Sequence, residues 1–186
     1  MQKIILASQS PRRKQLLEWA EVPFDIVVKE TDESYPEDIS VDEIAVHIAR
    51  NKALAIKATV TGSMPILAAD TIVVLEGSVI GKPKDREDAV KILSSLSGKQ
   101  HRVITGVVML HNEKEIAFAE TTEVLFHELS LAQIEFYVDN YKPYDKAGAY
   151  AIQEWIGVVG IKHINGDFYN VMGLPVSRVV QALQSL

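Results

Sequence analysis

One charged residue interrupts an otherwise apolar segment and is the first candidate for chemistry. Asp70 lies inside PILAADTIVVLEG at residues 65–77, whose apolar and β-branched residues are typical of a strand covered on both faces. An ionised carboxylate there must be paired, hydrogen-bonded or bound to a metal, because burying it alone is costly. Asp70 is therefore either a catalytic or metal-binding group, or a structural residue that caps a nearby backbone turn or pairs with a buried lysine.

The segment SQSPRRK at residues 8–14 has the residue types of an anion-binding turn. It follows a short apolar strand, and Ser10 before Pro11 is typical of a helix N-terminus. Backbone N–H groups and the positive end of the helix dipole favour a phosphate at such a place. The dipole disfavours the three basic residues that follow, and a bound anion would explain them. A capped surface helix with solvated basic residues explains the same pattern.

Further carboxylates and lysines fall in predicted loops, turns and helices. They are Asp32, Glu33, Lys52, Lys82 and Lys146. Taken singly, each is more often a solvated surface charge. Taken together, they supply what hydrolysis at a nucleotide phosphate needs: positive groups and a metal to neutralise charge, and a carboxylate to orient or deprotonate water. The chain contains neither GxxxxGK[ST] nor GxGxxG, so its phosphate site must be built differently.

Hydrophobic spacing and capping residues predict the elements that position these side chains. Helices are expected at residues 11–21, 41–58, 86–96 and 131–141, with a short one after GLP at 173–175. In the second helix Ile44, Ile48 and Ala55 recur at helical spacing, so Lys52 lies on or beside the inner stripe.

The predicted strands and helices mix without strict βαβ alternation. Strands are expected at residues 4–7, 22–28 and 65–77, and HRVITGVVML with AFAETTEVLF reads as a hairpin. A second hairpin is expected around Asn165 and Gly166. This arrangement favours a mixed sheet with helices packed around it.

Composition narrows the class of protein. The 186 residues are 47% hydrophobic and 24% charged, which suits one domain over residues 1–186. With 25 acidic and 19 basic residues, nucleic acid is not an expected partner. No membrane-length segment or signal peptide is apparent, so a cytoplasmic location is expected. Without cysteine, and with five scattered histidines, any metal is expected to have oxygen ligands.

Several motifs, in order and spacing, resemble the Maf family of nucleoside triphosphate pyrophosphatases along nearly the whole chain. They are LASQSPRRKQLL, ARNKA, AADTIV, GKP, LSGKQHRVITGV, DKAGAYAIQ and NVMGLP. The resemblance implies an α/β fold with an elongated, bent mixed β-sheet flanked by helices. It also implies two lobes around a cleft, similar to inosine triphosphate pyrophosphatases. The implied reaction is cleavage between the α and β phosphates with a divalent metal cation, Mg²⁺ or Mn²⁺, giving a nucleoside monophosphate and pyrophosphate.

The same resemblance implies roles for individual residues. Asp70 is the expected proton acceptor, and Glu33 with Asp70 is expected to bind the metal. The expected phosphate contacts are Ser8, Arg13, Lys52 and Lys82.

Three positions match the family's subgroup that acts on dTTP and UTP: Arg12, Thr71 and Gln153. A primary amide such as that of Gln153 can accept from uracil N3–H and donate to a neighbouring carbonyl. A flipped amide would suit cytosine, so CTP is a further candidate substrate, as are modified uridine triphosphates.

The chain departs from the family pattern after Gln153, where it reads Glu154 and Trp155 instead of glycine-rich residues. The aromatic ring either packs or stacks on the base. Two rival functions stay open: a nucleotide-binding regulator of cell division and septum formation, and a pyrophosphatase for noncanonical purine nucleotides. A homodimer is expected from the family.

Overall fold

The computed structural model describes residues 2–186. The strands are β1 (Ile4–Leu6), β2 (Phe24–Ile26), β3 (Ile66–Leu75), β4 (Ser78–Ile80), β5 (Gln100–His111), β6 (Lys114–Phe126) and β7 (Ile161–Asn165). The α-helices are α1 (Pro11–Trp19), α2 (Val41–Lys57), α3 (Arg86–Leu96), α4 (Leu131–Tyr141), α5 (Trp155–Gly160), α6 (Phe168–Met172) and α7 (Val176–Leu183). Within this part of the chain, each helix is too short or too polar to cross a lipid bilayer.

The strands form one mixed sheet flanked by helices, which confirms the predicted fold class. Their order is β2-β1-β3-β5-β6-β7, and β4 pairs with β3 outside this path. β1 runs parallel to β2 and β3, with Ile5 opposite Ile66, whereas β4 and β7 run antiparallel to β3 and β6. Asn112, with a φ of +53°, lies in the tight connection between β5 and β6. The hairpin predicted for these two strands is therefore confirmed.

Packing divides the chain into two compact units. The first unit holds the chain up to Thr71, then Thr105–Glu120 and Gly173–Leu186. The second unit holds Ile72–Ile104 and Thr121–Met172. The chain passes from one unit to the other within β3, β5 and β6, so neither unit is a continuous stretch of sequence.

In the first unit, α2 packs closely on β5. A Cβ at Gly106 would lie 2.2 Å from a backbone atom of Ala45, so glycine allows the helix to approach the strand. The predicted inner stripe of α2 is correct at Ile44 and Ile48, which are buried. Ala55 is only half-buried, because the 3.6-residue repeat continues the buried stripe at other positions, Ala53 and Ile56.

In the second unit, three rings form a buried cluster. The centroids of His101, Phe126 and Tyr150 lie 5.1 to 5.5 Å apart, and His101 Nε2 is 2.7 Å from Tyr150 Oη. Burial lowers the pKa of His101 to about 4 and raises the pKa of Tyr150. Both groups are therefore neutral at pH 7, and the cluster belongs to the core.

The predicted hairpin around Asn165 and Gly166 is wrong. Asn165 ends β7, which pairs with β6, and the chain then enters α6 instead of a returning strand. Thr122 of β6 donates from Oγ1 to the Asp167 carbonyl at 2.9 Å. A Cβ at Gly166 would lie 2.9 Å from the same Oγ1, so tertiary packing against β6 decides this turn.

Helix α5 was not expected from its sequence, WIGVVG, which is rich in β-branched residues and glycine. A Cβ at Gly157 would lie 1.7 Å from the Ile152 carbonyl oxygen. The glycine that lowers helix propensity is therefore the residue that lets this helix fold back on the preceding turn.

Candidate active site

The turn between β1 and α1 forms the predicted helix N-terminus. Ser10 caps α1, because its Oγ accepts from the Arg13 backbone N–H at 3.5 Å, and Pro11 occupies the first turn. Ser8 Oγ accepts from the Ser10 N–H at 3.2 Å, so hydroxyl groups hold the loop before the helix. The start of α1 therefore lies where the sequence predicts the anion-binding turn.

Arg13 is buried in the first unit. Its Nε donates to the Gly173 carbonyl at 2.7 Å, Nη1 donates to Ser8 Oγ at 3.1 Å, and Nη2 donates to Thr71 Oγ1 at 3.0 Å. These bonds engage three of the five N–H donors of a guanidinium. Burial lowers the pKa of Arg13, and the nearby negative charge of Asp70 opposes this effect. The group stays cationic at neutral pH, because the usual arginine pKa lies far above it.

The Thr71 hydroxyl is held by several groups at once. Besides accepting from Arg13, its Oγ1 lies 2.9 Å from Oγ1 of the buried Thr105 and 3.4 Å from the Gly173 carbonyl oxygen. Thr105 was missed from the sequence, since a threonine in a strand is ordinary and its partner depends on how β3 lies beside β5. The hydroxyl predicted to influence substrate choice therefore has a fixed position.

Asp70 and Glu33 converge on one lysine. Lys52 Nζ donates to Asp70 Oδ1 at 2.6 Å and to Glu33 Oε1 at 2.7 Å. The side chains of Asp70 and Lys52 are 14% and 18% exposed, whereas Glu33 is 49% exposed. Asp70 is thus the partner of a largely buried lysine, one of the structural alternatives for this residue. The pairing leaves part of the Asp70 carboxylate exposed to solvent, so Asp70 can hold this ion pair and also take part in catalysis.

The neighbouring Asp32 has a local role. Its two carboxylate oxygens accept from the Ser34 backbone N–H at 2.9 Å and the Ser34 hydroxyl at 2.6 Å. These bonds lower the pKa of Asp32, because they stabilise its charged form. Of these two neighbouring residues, Glu33 is the one that reaches Lys52.

The carboxylate pair suits a divalent cation that brings other ligands with it. Within residues 2–186, no three acidic or histidine side chains cluster closely enough to hold a metal by themselves. Asp70 and Glu33 nevertheless direct oxygen atoms at one cationic position, now taken by the Lys52 ammonium. Mg²⁺ is commonly bound by one or two carboxylates together with substrate phosphates and water. The residues present therefore fit a metal that enters with the nucleotide.

In the second unit, the backbone beside Lys82 is fixed by a close contact. The Gly148 N–H donates to the Gly81 carbonyl at 3.1 Å. Gly148 has a φ of +70°, and a Cβ there would lie 2.9 Å from the Val73 side chain, so both conformation and space require glycine. Lys82 follows Gly81 directly and its side chain is exposed.

Gln153 is exposed at the third position of a tight turn. The turn is closed by the Glu154 N–H, which donates to the Ala151 carbonyl at 3.1 Å. The ring of Trp155 packs against Phe136 of α4, with ring centroids 4.8 Å apart. This contact supports packing, one of the two alternatives for the tryptophan.

The predicted residues of the first unit form two connected groups. The first group is Ser8, Arg13 and Thr71, and the second is Glu33, Lys52 and Asp70. Asp70 and Thr71 are adjacent on β3 and so join the groups. Arg12 lies in the first turn of α1, whereas Lys82 and Gln153 belong to the second unit.

Comparisons with known proteins give close relatives. A protein from Cytophaga hutchinsonii named dTTP/UTP pyrophosphatase is 52% identical over 183 residues, covering 98% of this chain and 84% of that protein. A protein of the same name from Parabacteroides distasonis is 48% identical, covering 98% of this chain and 95% of that protein.

Two solved structures are more distant. A nucleoside-triphosphatase (dITP/XTP pyrophosphatase) from Mycobacterium abscessus has a TM-score of 0.41 at 17% identity. The Staphylococcus aureus Ham1 protein has a TM-score of 0.43 at 15% identity. Each match covers 67% of this chain and 72% of the other chain.

A family profile matches almost the whole chain. It is described as Maf-like protein and matches residues 3–186. The motifs from LASQSPRRKQLL to NVMGLP lie inside this range. The profile match and these relatives, which are about half identical over nearly the full length, show that the chain belongs to the Maf family.

Proposed function

We propose that this protein hydrolyses UTP and dTTP to the nucleoside monophosphate and pyrophosphate. The observation that carries the proposal is the Asp70 carboxylate, set in apolar β3 and held by the same Lys52 ammonium that binds Glu33. The names of the two close relatives support this reaction. The unbroken profile match supports one pyrophosphatase domain over the whole chain.

The start of α1 and three cations would bind the triphosphate. The positive end of the α1 dipole and the Ser8 hydroxyl suit phosphate oxygens, because negative charge is favoured at a helix N-terminus. Arg13 has N–H donors beyond the three that bind protein acceptors. Lys52 holds both carboxylates before the nucleotide arrives, and it can turn its N–H donors to a phosphate once the metal takes its place between them. Lys82 would add a further positive charge from its exposed position.

Asp70 and Glu33 would hold the divalent metal. When bound with the nucleotide, Mg²⁺ or Mn²⁺ supplies positive charge that polarises the phosphoryl oxygens and offsets the charge that develops there. Carboxylate ligands suit both ions. Lys52 keeps the two carboxylates directed at a common position before the nucleotide arrives.

The hydrolytic step needs a proton acceptor near the attacked phosphorus. The oxygen of a water molecule forms a bond to the α phosphorus, and the bond from that phosphorus to the α,β-bridging oxygen breaks. Asp70 takes the proton from the water, and pyrophosphate leaves with the bridging oxygen. Lys52 stabilises the charged carboxylate before this transfer.

Gln153 would read the base, with Thr71 and Arg12 contributing to substrate choice. Its amide can accept from N3–H and donate to a carbonyl of uracil or thymine. Because a flipped amide would suit cytosine, the preference for UTP over CTP depends on how firmly Gln153 is positioned.

A nucleotide panel tests the proposal. The purified protein is incubated with UTP, dTTP, CTP, GTP and ITP, each with Mg²⁺, Mn²⁺ or no metal, and pyrophosphate and phosphate are measured separately. Pyrophosphate release from UTP and dTTP with metal is the expected result. Preference for GTP or ITP would refute the pyrimidine assignment, and phosphate in place of pyrophosphate would refute the bond assignment. Tight nucleotide binding without product would instead indicate a regulatory binding protein.

A matched pair of lysine variants tests the phosphate assignment. Lys82→Ala should raise KM about tenfold for every triphosphate, since it removes one charged hydrogen bond. Lys84→Ala removes a charge from an exposed lysine two residues away and should leave KM unchanged. Equal KM values for the two variants would contradict the role of Lys82.

A further inference from the structure

One tyrosine of α4 bridges both ends of the turn that carries Gln153. Tyr137 is fully buried, and its Oη accepts from the Ala151 N–H at 3.2 Å. The same hydroxyl donates to Glu154 Oε2. Ala151 and Glu154 are the first and last residues of the turn, which their own backbone bond closes. The phenol therefore fastens the two residues that flank the segment containing Gln153.

The two hydrogen bonds of Tyr137, to Ala151 and to Glu154, form a clamp on the turn. A lysine lies beside the carboxylate end of this clamp. The second carboxylate oxygen of Glu154 lies 3.7 Å from Lys146 Nζ, whose side chain is 10% exposed. Lys146 also donates to Asp145 Oδ1 at 2.7 Å. A tyrosine hydrogen bond to a carboxylate that faces a sheltered ammonium is charge-assisted, and such bonds are stronger than neutral ones.

Packing fixes the remaining backbone of the turn. The Ile152 side chain is buried, and its carbonyl oxygen meets Gly157 so closely that a Cβ there would lie 1.7 Å away. Gln153 is the one exposed residue between Ala151 and Glu154. The turn thus holds its backbone in place and directs one amide side chain to solvent.

We propose that Tyr137 and Glu154 are positioning residues that fix Gln153 for recognition of the pyrimidine base. The inference rests on the proposed function, in which the Gln153 amide meets a ring N–H and a carbonyl together. A turn that samples several positions must be ordered when the nucleotide binds, and that ordering cost weakens binding. Loss of the clamp therefore raises KM and lowers the preference for UTP over CTP, whereas kcat changes little because the phosphate chemistry uses other residues.

A double-mutant cycle tests this coupling. Tyr137→Phe removes the hydroxyl and keeps the ring, Gln153→Ala removes the amide, and the third variant carries both changes. KM and kcat are measured with UTP and with CTP. Tyr141→Phe is the matched control, since Tyr141 lies one turn further along α4 and its ring stacks on Tyr137 at 4.9 Å.

The expected result is non-additive. Tyr137→Phe should raise KM for UTP about tenfold with kcat within about threefold, as expected for a lost hydrogen bond to a charged group. In the Gln153→Ala background the same change should alter kcat/KM less than about twofold. Tyr141→Phe should match the wild type. Hydrogen exchange should quicken in peptides covering residues 150–157 of the Tyr137→Phe variant and stay unchanged in those of α3.

Equal effects of Tyr137→Phe in both backgrounds would mean a general structural role and would overturn the inference, as would an unchanged KM. If Gln153→Ala leaves the ranking of nucleotides unaltered while pyrophosphate is still released, the inference fails and the proposed reaction stands. If the wild type cleaves no triphosphate, both fail. Should Tyr137→Phe not fold, Glu154→Gln replaces it in the cycle. This variant should also raise KM, but by less, because the amide oxygen still accepts the hydrogen bond and only does so more weakly than a carboxylate.

Discussion

Replacing Asp70 with asparagine should abolish most of the activity and leave the fold intact. Asp70→Asn keeps the size of the side chain and an oxygen that can accept from Lys52 Nζ. It removes the negative charge, so the side chain can neither take a proton from water nor serve as an anionic metal ligand. Loss of a positioned general base lowers rates by about 10²- to 10⁴-fold, equivalent to about 3 to 5 kcal/mol of transition-state stabilisation.

The effect on stability should be much smaller. Breaking a fully buried ion pair costs about 3 to 5 kcal/mol. Here Lys52 keeps Glu33 at 2.7 Å, and its side chain and that of Asp70 are partly exposed, at 18% and 14%. We therefore expect a loss of about 1 to 2 kcal/mol in the free energy of unfolding. For a chain of this size, that corresponds to a fall in Tm of about 2 to 8 °C.

The assay measures pyrophosphate release from UTP at 25 °C together with thermal unfolding. Asp25→Asn is the control, because Asp25 forms an exposed ion pair with Lys3 at 2.8 Å in the same unit. It should match the wild type in kcat. If Asp70→Asn retains more than a tenth of wild-type kcat, the role of Asp70 in proton transfer and metal binding is refuted. If its Tm falls by more than about 10 °C, the stability reasoning is refuted instead.

Three further predictions concern other parts of the molecule. Burial holds the pKa of His101 at about 4, below its unfolded value near 6.5, so the unfolded state binds the additional proton. The free energy of unfolding should therefore fall by about 3 kcal/mol as pH drops from about 6.5 to about 4, and urea titrations of His101→Phe should lack this slope. Arg13→Ala should weaken the binding of all triphosphates alike and lower Tm by several degrees. Arg12→Ala should instead change the ranking of the triphosphates in the nucleotide panel. Equal losses across the panel for both variants would contradict these separate roles of the two arginines. Gly157→Ala should destabilise the protein by about 2 kcal/mol in urea unfolding, because the added methyl group meets a carbonyl oxygen, whereas Gly81→Ala, with open space around it, should change stability little.

Local signals in the sequence predicted the starts of helices well. Ser10 with Pro11 marks the first turn of α1, and Ser130 with Gln133 forms a capping box at the start of α4. Such signals work because the interacting groups lie within one helical turn. The spacing of α2 also predicted that Lys52 lies beside the buried stripe.

Contacts between distant segments could not be predicted in this way. Lys52 and Asp70 were separate candidates, and their meeting depends on how α2 packs beside β3. Tyr137 was overlooked because a tyrosine in an amphipathic helix normally belongs to the core, and its hydroxyl finds partners on another segment. Glu154 carried a usable signal, since an acidic residue between Gln153 and an apolar segment requires a partner.

The hydrogen bond from Arg13 to the Gly173 carbonyl has a consequence for the order of folding. The two residues are 160 positions apart, and Thr71 and Thr105, which complete the same network, come from intervening segments. Contacts of such long sequence separation form slowly, because a large loop must close first. Arg13 therefore lacks its Gly173 acceptor until that residue has emerged from the ribosome. We therefore expect the first unit to complete its core only after the chain has been synthesised as far as Gly173, although β1 and α1 are made first.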